Sequence, residues 1–170
     1  MNIAKLLHAP LVAQARADTP LGPITLVATA DGLAGVWFDG QAHHPGPLDV
    51  PVDASQAHIA QAMRELGEYF DGRRTGFDVA LDPQGTDFQH SVWTALARIA
   101  HGRTTSYGEI ALRLGRAAAV RAVGAAVGRN PLSVVVPCHR VLGRDGALTG
   151  YAGGLERKQA LLQLEGAAGG

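Results

Sequence analysis

The alternation of apolar and polar positions over the first half of the chain predicts strands around a single helix. Strands are predicted over residues 11–17, 24–28, 33–38 and 77–81. A helix is predicted over 55–70, where Ile59, Met63, Leu66 and Phe70 recur at helical spacing before Gly72. Turn residues at 20–23 and 31–32 separate the first three strands. These elements predict a small antiparallel-sheet and helix domain, without a chemical motif, that braces the second half of the chain.

The second half changes to helical periodicity after Asp82-Pro83-Gln84-Gly85, which predicts two domains, residues 1–83 and 84–170. Thr86 and Gln89 form a capping box, which predicts a helix with an apolar face. Ser106 and Glu109 form a second capping box, and the helix that it opens ends at Gly115. A further helix is predicted over 117–127. Two short helices across a glycine turn are typical of a helix-turn-helix, although similar corners occur in many helical proteins.

The helix predicted over 117–127 is unusual because nearly all of its side chains are small. Six alanines and a glycine leave a smooth surface that another backbone can approach closely. Arg121 is the one long charged side chain in the middle of this segment. Packing against a core helix would explain the alanines, but it would not explain a central arginine.

A valine-rich run, residues 132–136, precedes the only cysteine of the chain. The run predicts a buried β-strand, and Pro137 ends it because proline lacks the N–H that a strand ladder needs. Cys138 follows directly, and His139 and Arg140 come next. A thiol beside an imidazole at a strand end suits a nucleophile on a rigid support. A lone cysteine is, however, more often an inert buried side chain.

The remaining residues predict a wing, a loop and a closing helix. Residues 140–142 and 147–149 flank Asp145-Gly146 and predict a small hairpin. Residues 150–154 are glycine-rich and predict a flexible loop. Residues 155–164 predict the last helix, and 167–170 a frayed tail. The fold class predicted is therefore α+β, with a mainly helical, winged helix-turn-helix-like second domain.

Composition excludes several classes of protein. With 46% apolar and 18% charged residues, the chain is predicted to be globular. One cysteine excludes an intramolecular disulfide and a multi-cysteine zinc site. No apolar run is long enough to predict a membrane span. His8, Pro10 and Gln14 interrupt the mild apolar stretch at the N-terminus, so a cytoplasmic protein is expected rather than a secreted one.

A net charge of zero conceals a strong asymmetry along the chain. Residues 1–97 carry five Lys or Arg against eleven Asp or Glu. Residues 98–144 carry eight arginines against Glu109 alone. A GC-rich genome would explain arginine in place of lysine, but not this clustering. A cationic segment of this kind indicates a polyanion as partner.

Six segments in the second half together resemble the O6-alkylguanine-DNA alkyltransferases, also called methylated-DNA–protein-cysteine methyltransferases. The segments are Thr105-Ser106-Tyr107, Arg121-Ala122-Val123-Gly124, Asn130-Pro131, Pro137-Cys138-His139-Arg140-Val141, Gly150-Tyr151-Ala152-Gly153-Gly154 and Leu161-Leu162-Gln163-Leu164-Glu165-Gly166. The resemblance is dense from Asp87 to Gly166 and looser before it. It implies irreversible, single-turnover transfer of an alkyl group from guanine O6, and also from thymine O4, to a cysteine.

The resemblance implies a catalytic role for five residues. Cys138 would accept the alkyl group, with His139 and Glu165 as the relay that removes the thiol proton. Tyr107 would supply a proton to the departing base, and Asn130 would tie the recognition helix to the active-site segment. The substrate-binding residues implied are Tyr151, Ala152 and Val141. No cofactor or metal is needed for this chemistry.

The resemblance also implies the partner, which is double-stranded DNA carrying O6-alkylguanine, bound in the minor groove with the damaged nucleotide flipped out. Arg121 would fill the gap that the flipped base leaves. The other DNA-binding residues implied are Ala119, Ala122, Gly124 and Arg140. A monomer without a membrane association is expected, and cooperative binding on DNA is left open.

Two departures from the family pattern and two other functions bear on this interpretation. Ala152 stands where relatives often carry serine or another small residue, so only its backbone could donate to the base. The cysteines that bind zinc in some N-terminal domains are missing. A non-catalytic module that recognises alkylated DNA is one alternative, which the presence of Cys138 argues against. A cysteine hydrolase is the other, although such enzymes draw their histidine from a distant segment.

Overall fold

The computed structural model describes residues 9–167, and these residues begin with a three-stranded antiparallel sheet. Strands β1 (Leu11–Ala17), β2 (Ile24–Thr29) and β3 (Leu33–Phe38) pair in the order β1-β2-β3. All six residues of the central strand are buried. The three predicted strands are thus confirmed, and the second extends to Thr29. The predictions for residues 1–8 and 168–170 lie outside the described residues.

Helix α1 (Ala57–Phe70) packs against this sheet and begins two residues later than predicted. The Gln56 side chain caps the helix because its oxygen accepts hydrogen bonds from the backbone N–H groups of His58 and Ile59. Ile59 and Leu66 face the core and are almost fully buried. The periodicity of the apolar positions therefore predicted the helix and its buried face correctly.

The strand predicted over 77–81 is wrong, since only Leu81 forms an isolated bridge, to Leu33. The buried Glu65 side chain of α1 binds backbone N–H groups that would bind a neighbouring strand in a sheet. Its Oε1 accepts hydrogen bonds from the N–H groups of Asp78 and Val79, at 2.8 and 3.1 Å. A side chain from a helix thus replaces the sheet ladder here.

The second half is mainly helical, as predicted. Its elements are α2 (Asp87–Ala97), β4 (Thr105–Ser106), α3 (Tyr107–Arg113), α4 (Val120–Gly128), β5 (Val141–Leu142) and α5 (Leu155–Leu164). The capping box of α2 is present, with both the Thr86 and the Gln89 hydrogen bonds formed. Helices α3 and α4 pack together across a turn at Gly115, whose φ is 69°. Helix α4 begins at Val120 rather than at 117, so Ala119 is its N-cap residue.

The predicted wing hairpin is also wrong. Strand β5 instead pairs in parallel with β4, joining Thr105 to Val141 and Ser106 to Leu142. Residues Arg144–Gly146 form a short 3-10 turn in which Asp145 has a φ of 60°. The turn closes through a hydrogen bond from the Gly143 N–H to the Ala147 carbonyl, at 2.8 Å.

One hydrophobic core runs through both halves of the chain. Phe38, Leu66, Trp93, Leu132 and Leu161 all belong to it, and each is at most 4% exposed. Within residues 9–167, every helix is too short or too polar to cross a lipid bilayer.

Candidate active site

The valine-rich run before Cys138 is buried, but it is a turn and not the predicted strand. Val134 has a φ of 71°, and the Val136 N–H donates to the Leu132 carbonyl at 2.9 Å. Strand β3 holds this turn, because the Val36 N–H donates to Pro131 and the Ser133 N–H donates back to Val36. The run is rich in valine because it is buried, and this composition is the same for a buried strand and a buried turn. The hydrogen bonds with β3 hold the backbone as a turn.

Asn130 closes this turn from inside. Its Oδ1 accepts a hydrogen bond from the Leu132 N–H at 3.0 Å, and its Nδ2 donates to the Val136 carbonyl at 2.9 Å. Asn130 is 3% exposed and follows α4 almost directly. It therefore connects α4 with the segment that ends in Cys138.

Cys138 begins the 3-10 helix Cys138–Arg140, and its side chain is 4% exposed. Burial raises the pKa of the Cys138 thiol, and a hydrogen bond from Asn130 and the charge of Lys158 only partly oppose this effect. The thiol is consequently protonated at neutral pH in the unliganded protein. A base must remove its proton before the sulfur can act as a nucleophile.

His139 and Glu165 form a buried pair beside the cysteine. The His139 Nε2 lies 2.8 Å from the Glu165 Oε2, and both side chains are fully shielded from solvent. A carboxylate only accepts hydrogen bonds, so Nε2 carries the proton. The Nδ1 of His139 is buried and has no hydrogen-bond partner within residues 9–167. This nitrogen is therefore free to accept a proton.

The Glu165 carboxylate receives hydrogen bonds from two further residues. Arg140 donates from Nε to Oε1 and from Nη2 to Oε2, both at 2.8 Å. Tyr69 of α1 donates its hydroxyl to Oε2 at 2.6 Å. Burial acts to raise the pKa of Glu165, but the hydrogen bonds from His139, Arg140 and Tyr69 bring it far below its usual range. Glu165 is thus ionised at neutral pH.

Arg140 was predicted to bind DNA, and the structure places it elsewhere. Its side chain is nearly buried, and besides the Glu165 bonds its Nη1 donates to the Ile99 carbonyl. The guanidinium turns inward because a buried carboxylate needs a positive partner. Val141 is likewise fully buried, and its carbonyl accepts a hydrogen bond from Lys158.

Lys158 is a functional candidate that sequence reasoning missed. Its side chain is fully buried, and its Nζ donates to the carbonyls of Val141, Thr149 and Gly150. Burial lowers the pKa of Lys158 to about 8. The ammonium group fixes the start of the 150–154 loop and places a positive charge near Cys138. Its position was a signal, because Lys158 shares a helix face with the buried Leu161, Leu162 and Glu165.

Two tyrosines of the predicted site surround the cysteine. Tyr107 begins α3 and is half-buried, and its hydroxyl lies 3.5 Å from the Gly150 carbonyl. Burial and the nearby Cys138 raise the pKa of Tyr107. The Tyr151 hydroxyl is buried and has no hydrogen-bond partner among the described residues. Ala152 is held by its carbonyl, which accepts a hydrogen bond from the Ala42 N–H at 2.9 Å.

Helix α4 presents its small residues to solvent. Arg121, Ala122 and Ala125 are exposed, and Gly124 and the N-cap Ala119 are half-buried. Trp93 anchors the opposite face by donating from Nε1 to the Ala126 carbonyl at 2.9 Å. Seven of the eight clustered arginines are exposed, namely Arg98, Arg103, Arg113, Arg116, Arg121, Arg129 and Arg144. Over residues 9–167, no group of three or more His, Cys, Asp or Glu is placed to hold a metal ion.

The buried His139–Glu165 pair predicts a loss of stability in acid. Burial lowers the pKa of His139, and the pKa of Glu165 is also lowered, so the unfolded chain binds more protons than the folded one. The contribution of each residue to the free energy of unfolding is fully present above about pH 6.5. As the pH falls, the contribution of His139 is lost first, and that of Glu165 is lost below about pH 4.3. Urea denaturation should show about 1–2 kcal/mol less stability at pH 4.5 than at pH 7.5. If the free energy of unfolding fell equally steeply with decreasing pH in the native and Glu165→Gln proteins, this assignment would be contradicted.

Known proteins resemble the chain over nearly all of its described length. Residues 12–83 match the family model described as 6-O-methylguanine DNA methyltransferase, ribonuclease-like domain. Residues 87–167 match that of the DNA binding domain of the same family. The methylated-DNA--protein-cysteine methyltransferase of Mycobacterium tuberculosis (strain ATCC 25618 / H37Rv) is 47% identical over 148 residues, which are 87% of this chain and 88% of the relative. The protein of that name from Methanosarcina barkeri is 45% identical over 151 residues, 87% and 93% of the two chains.

A solved structure is similar in fold as well as in sequence. The crystal structure of Mycobacterium tuberculosis OGT in complex with DNA superposes with a TM-score of 0.83 at 45% identity. The superposition covers 91% of this chain and 93% of the other. The α+β architecture, with a sheet domain before a helical one, is shared.

Proposed function

The chain belongs to the 6-O-methylguanine DNA methyltransferase family, and on this premise we propose that it repairs O6-alkylguanine in double-stranded DNA by accepting the alkyl group on Cys138. DNA repair by alkyl transfer to a protein cysteine follows from family membership, and the chain contains one cysteine. One observation carries the assignment of residues. Cys138 adjoins a buried histidine whose Nε2 is bonded to Glu165 and whose Nδ1 has no hydrogen-bond partner among residues 9–167.

The transfer is a displacement at carbon. His139 takes the thiol proton on Nδ1, directly or through one water, and Glu165 stabilises the imidazolium that forms. The Cys138 sulfur then bonds to the alkyl carbon while the carbon–O6 bond breaks and its electrons go to the guanine. Tyr107 donates its hydroxyl proton to the departing base, and the imidazolium proton restores the tyrosine. The product is a thioether, which water does not hydrolyse under mild conditions, so each molecule reacts once.

The lesion must leave the base stack before it can meet a buried thiol. The exposed small-residue face of α4 suits the minor groove, since it permits close approach to the DNA. Arg121 makes no ion pair or side-chain hydrogen bond within residues 9–167, so it is available to fill the gap of the flipped base. The exposed arginines supply phosphate contacts. The same chemistry extends the proposal to O4-alkylthymine as a second substrate. We also propose that the protein acts as a monomer and that its two domains meet between residues 83 and 84.

Stoichiometry tests the proposed function. The native protein is incubated with limiting and with excess duplex oligonucleotide that contains one O6-methylguanine. One methyl group per protein molecule, found on the Cys138 peptide by mass spectrometry, is expected. An unmodified Cys138 peptide beside intact lesion would support a recognition module instead, and repeated turnover would support a hydrolase.

The Arg121→Ala variant should separate DNA access from chemistry. We expect alkyl transfer from duplex DNA to slow by about 10- to 100-fold, because extruding a nucleotide costs a few kcal/mol that the inserted guanidinium offsets. Reaction with free O6-methylguanine base should stay within about twofold, since Arg121 is exposed on α4 whereas Cys138 is buried. Arg129→Ala is the matched control, because it also removes one exposed arginine and its phosphate contact, but at the C-cap of α4; it should slow transfer from duplex DNA much less than Arg121→Ala does. Equal losses on both substrates would contradict the role of Arg121.

A further inference from the structure

We propose that Tyr69, in the N-terminal half of the chain, is a positioning residue for alkyl transfer because it orients Glu165 and limits the pull of this carboxylate on His139. The inference deepens the proposed function and rests on it. It assigns the N-terminal half a part in the chemistry, in addition to its part in the fold. Nothing in the local sequence around Tyr69 indicates this role.

The contact joins the two halves of the molecule inside the core. Tyr69 lies one residue before the end of α1 and is 1% exposed. Its hydroxyl reaches the Glu165 Oε2 at 2.6 Å across a sequence separation of 96 residues. Aromatic rings on several sides hold the tyrosine, with centroid distances of 5.3 Å to Phe70, 5.5 Å to Phe77 and 6.3 Å to His101. The hydroxyl therefore occupies a fixed place, as a positioning group must.

The oxygen that Tyr69 contacts is also the oxygen that His139 uses. Oε2 of Glu165 accepts from Tyr69, from the His139 Nε2 and from the Arg140 Nη2. Oε1 accepts only the Arg140 Nε among these donors. A carboxylate oxygen that serves three donors has less negative charge to offer each of them. Tyr69 consequently weakens the attraction between Glu165 and the histidine proton.

Tyr69 exerts this effect across the working pH range. Burial and the neighbouring Glu165 raise the pKa of Tyr69 well above its ordinary value, so the hydroxyl keeps its proton. The other charged groups facing the pair are Arg140, which bonds Glu165, and Lys158, whose charge acts on His139. Both are cationic and disfavour a proton on His139. If the tyrosine hydroxyl is removed, Glu165 becomes the stronger partner and His139 holds a proton more tightly.

The Tyr69→Phe variant removes this hydroxyl and keeps the ring packing. Rates of Cys138 alkylation by free O6-methylguanine base are measured from pH 5.5 to pH 8.5, where folding is checked by circular dichroism. The acid limb of the profile, which reports the His139–Glu165 pair, is expected to move upward by about one pH unit. The rate at pH 5.5 then falls about three- to tenfold relative to the native protein, whereas the rate at pH 8 stays within about twofold.

A control variant and a spectroscopic signal distinguish positioning from bracing. Ile59→Val loosens the same helix without touching Glu165, and its profile should keep the native midpoint. The Nε2–H proton of His139 in ¹⁵N-labelled protein should shift in Tyr69→Phe and not in Ile59→Val. If the native and Tyr69→Phe proteins had pH–rate profiles with the same midpoint and an unshifted Nε2–H signal, the role of Tyr69 would be overturned and the proposed function would stand. A native protein whose Cys138 accepts no methyl group would overturn the proposed function and this role together.

Discussion

A Cys138→Ser protein is expected to bind alkylated duplex DNA and to leave the lesion in place. The hydroxyl of serine is a much harder nucleophile than a thiolate, and its pKa lies too high for His139 to deprotonate it. The rate of alkyl transfer should therefore fall at least about a thousandfold. The measurement is the amount of O6-methylguanine that remains in the oligonucleotide after incubation with excess protein.

Two controls separate lost chemistry from lost structure in this variant. The affinity for the duplex should match that of the native protein, because Cys138 is buried and does not lie on the exposed face of α4. The thermal unfolding midpoint should change little, since oxygen replaces sulfur in a turn that Asn130 holds. Removal of the lesion by Cys138→Ser would show that the acceptor is another residue.

Replacing Glu165 with glutamine should have the second-largest effect, on activity and stability together. Glutamine leaves the buried Arg140 guanidinium without its counter-charge, which costs about 3–5 kcal/mol of unfolding free energy. It also removes the anion that stabilises protonated His139, so alkyl transfer should slow by about a hundredfold. Urea denaturation and single-turnover rates with duplex substrate measure the two effects.

Glu109→Gln is the matched control for this substitution. Glu109 pairs with Arg113 at 3.8 Å on an exposed face of α3, so the same chemical change there should cost less than about 1 kcal/mol. If Glu165→Gln were as stable and as active as Glu109→Gln, the buried pair would play no part in folding or in repair.

The N-terminal half contributes more to the site than a general brace. The edge of β3 fixes the turn before Cys138, and Gln41 accepts a hydrogen bond from the Ser133 hydroxyl at 3.1 Å. Tyr69 reaches the Glu165 carboxylate from α1. Both the turn before Cys138 and the Glu165 carboxylate are therefore held by residues that lie far from them in sequence.

Local signals in the sequence were sufficient for most helices. Thr86 and Gln89 predicted the start of α2 because a capping box is satisfied within four residues. The spacing of Ile59 and Leu66 predicted the buried face of α1, because residues at helical spacing lie on one side of a helix. The start of α4 was placed three residues too early, since alanines continue a helical pattern even where the backbone turns.

Besides the wing hairpin, two strand predictions failed, and in both places a side chain binds backbone groups that a sheet partner would otherwise bind. Asn130 and the edge of β3 fold the valine-rich run into a turn. Glu65 takes the N–H groups of residues 78 and 79. In both places the apolar composition predicted burial correctly. It does not indicate which polar group will form hydrogen bonds with the buried backbone N–H and C=O groups.

Residue type and short-range spacing were enough to predict Cys138 as the nucleophile, to locate the cationic segment and to give the order of the helices. The surroundings of Glu165, in contrast, depend on contacts between elements that are distant in sequence. The tertiary structure turned Arg140 inward, brought Tyr69 to the carboxylate from 96 positions away and buried Lys158 beside the loop. The physical reason is that a charge removed from water must be paired, and its partners come from whichever elements the core brings into contact.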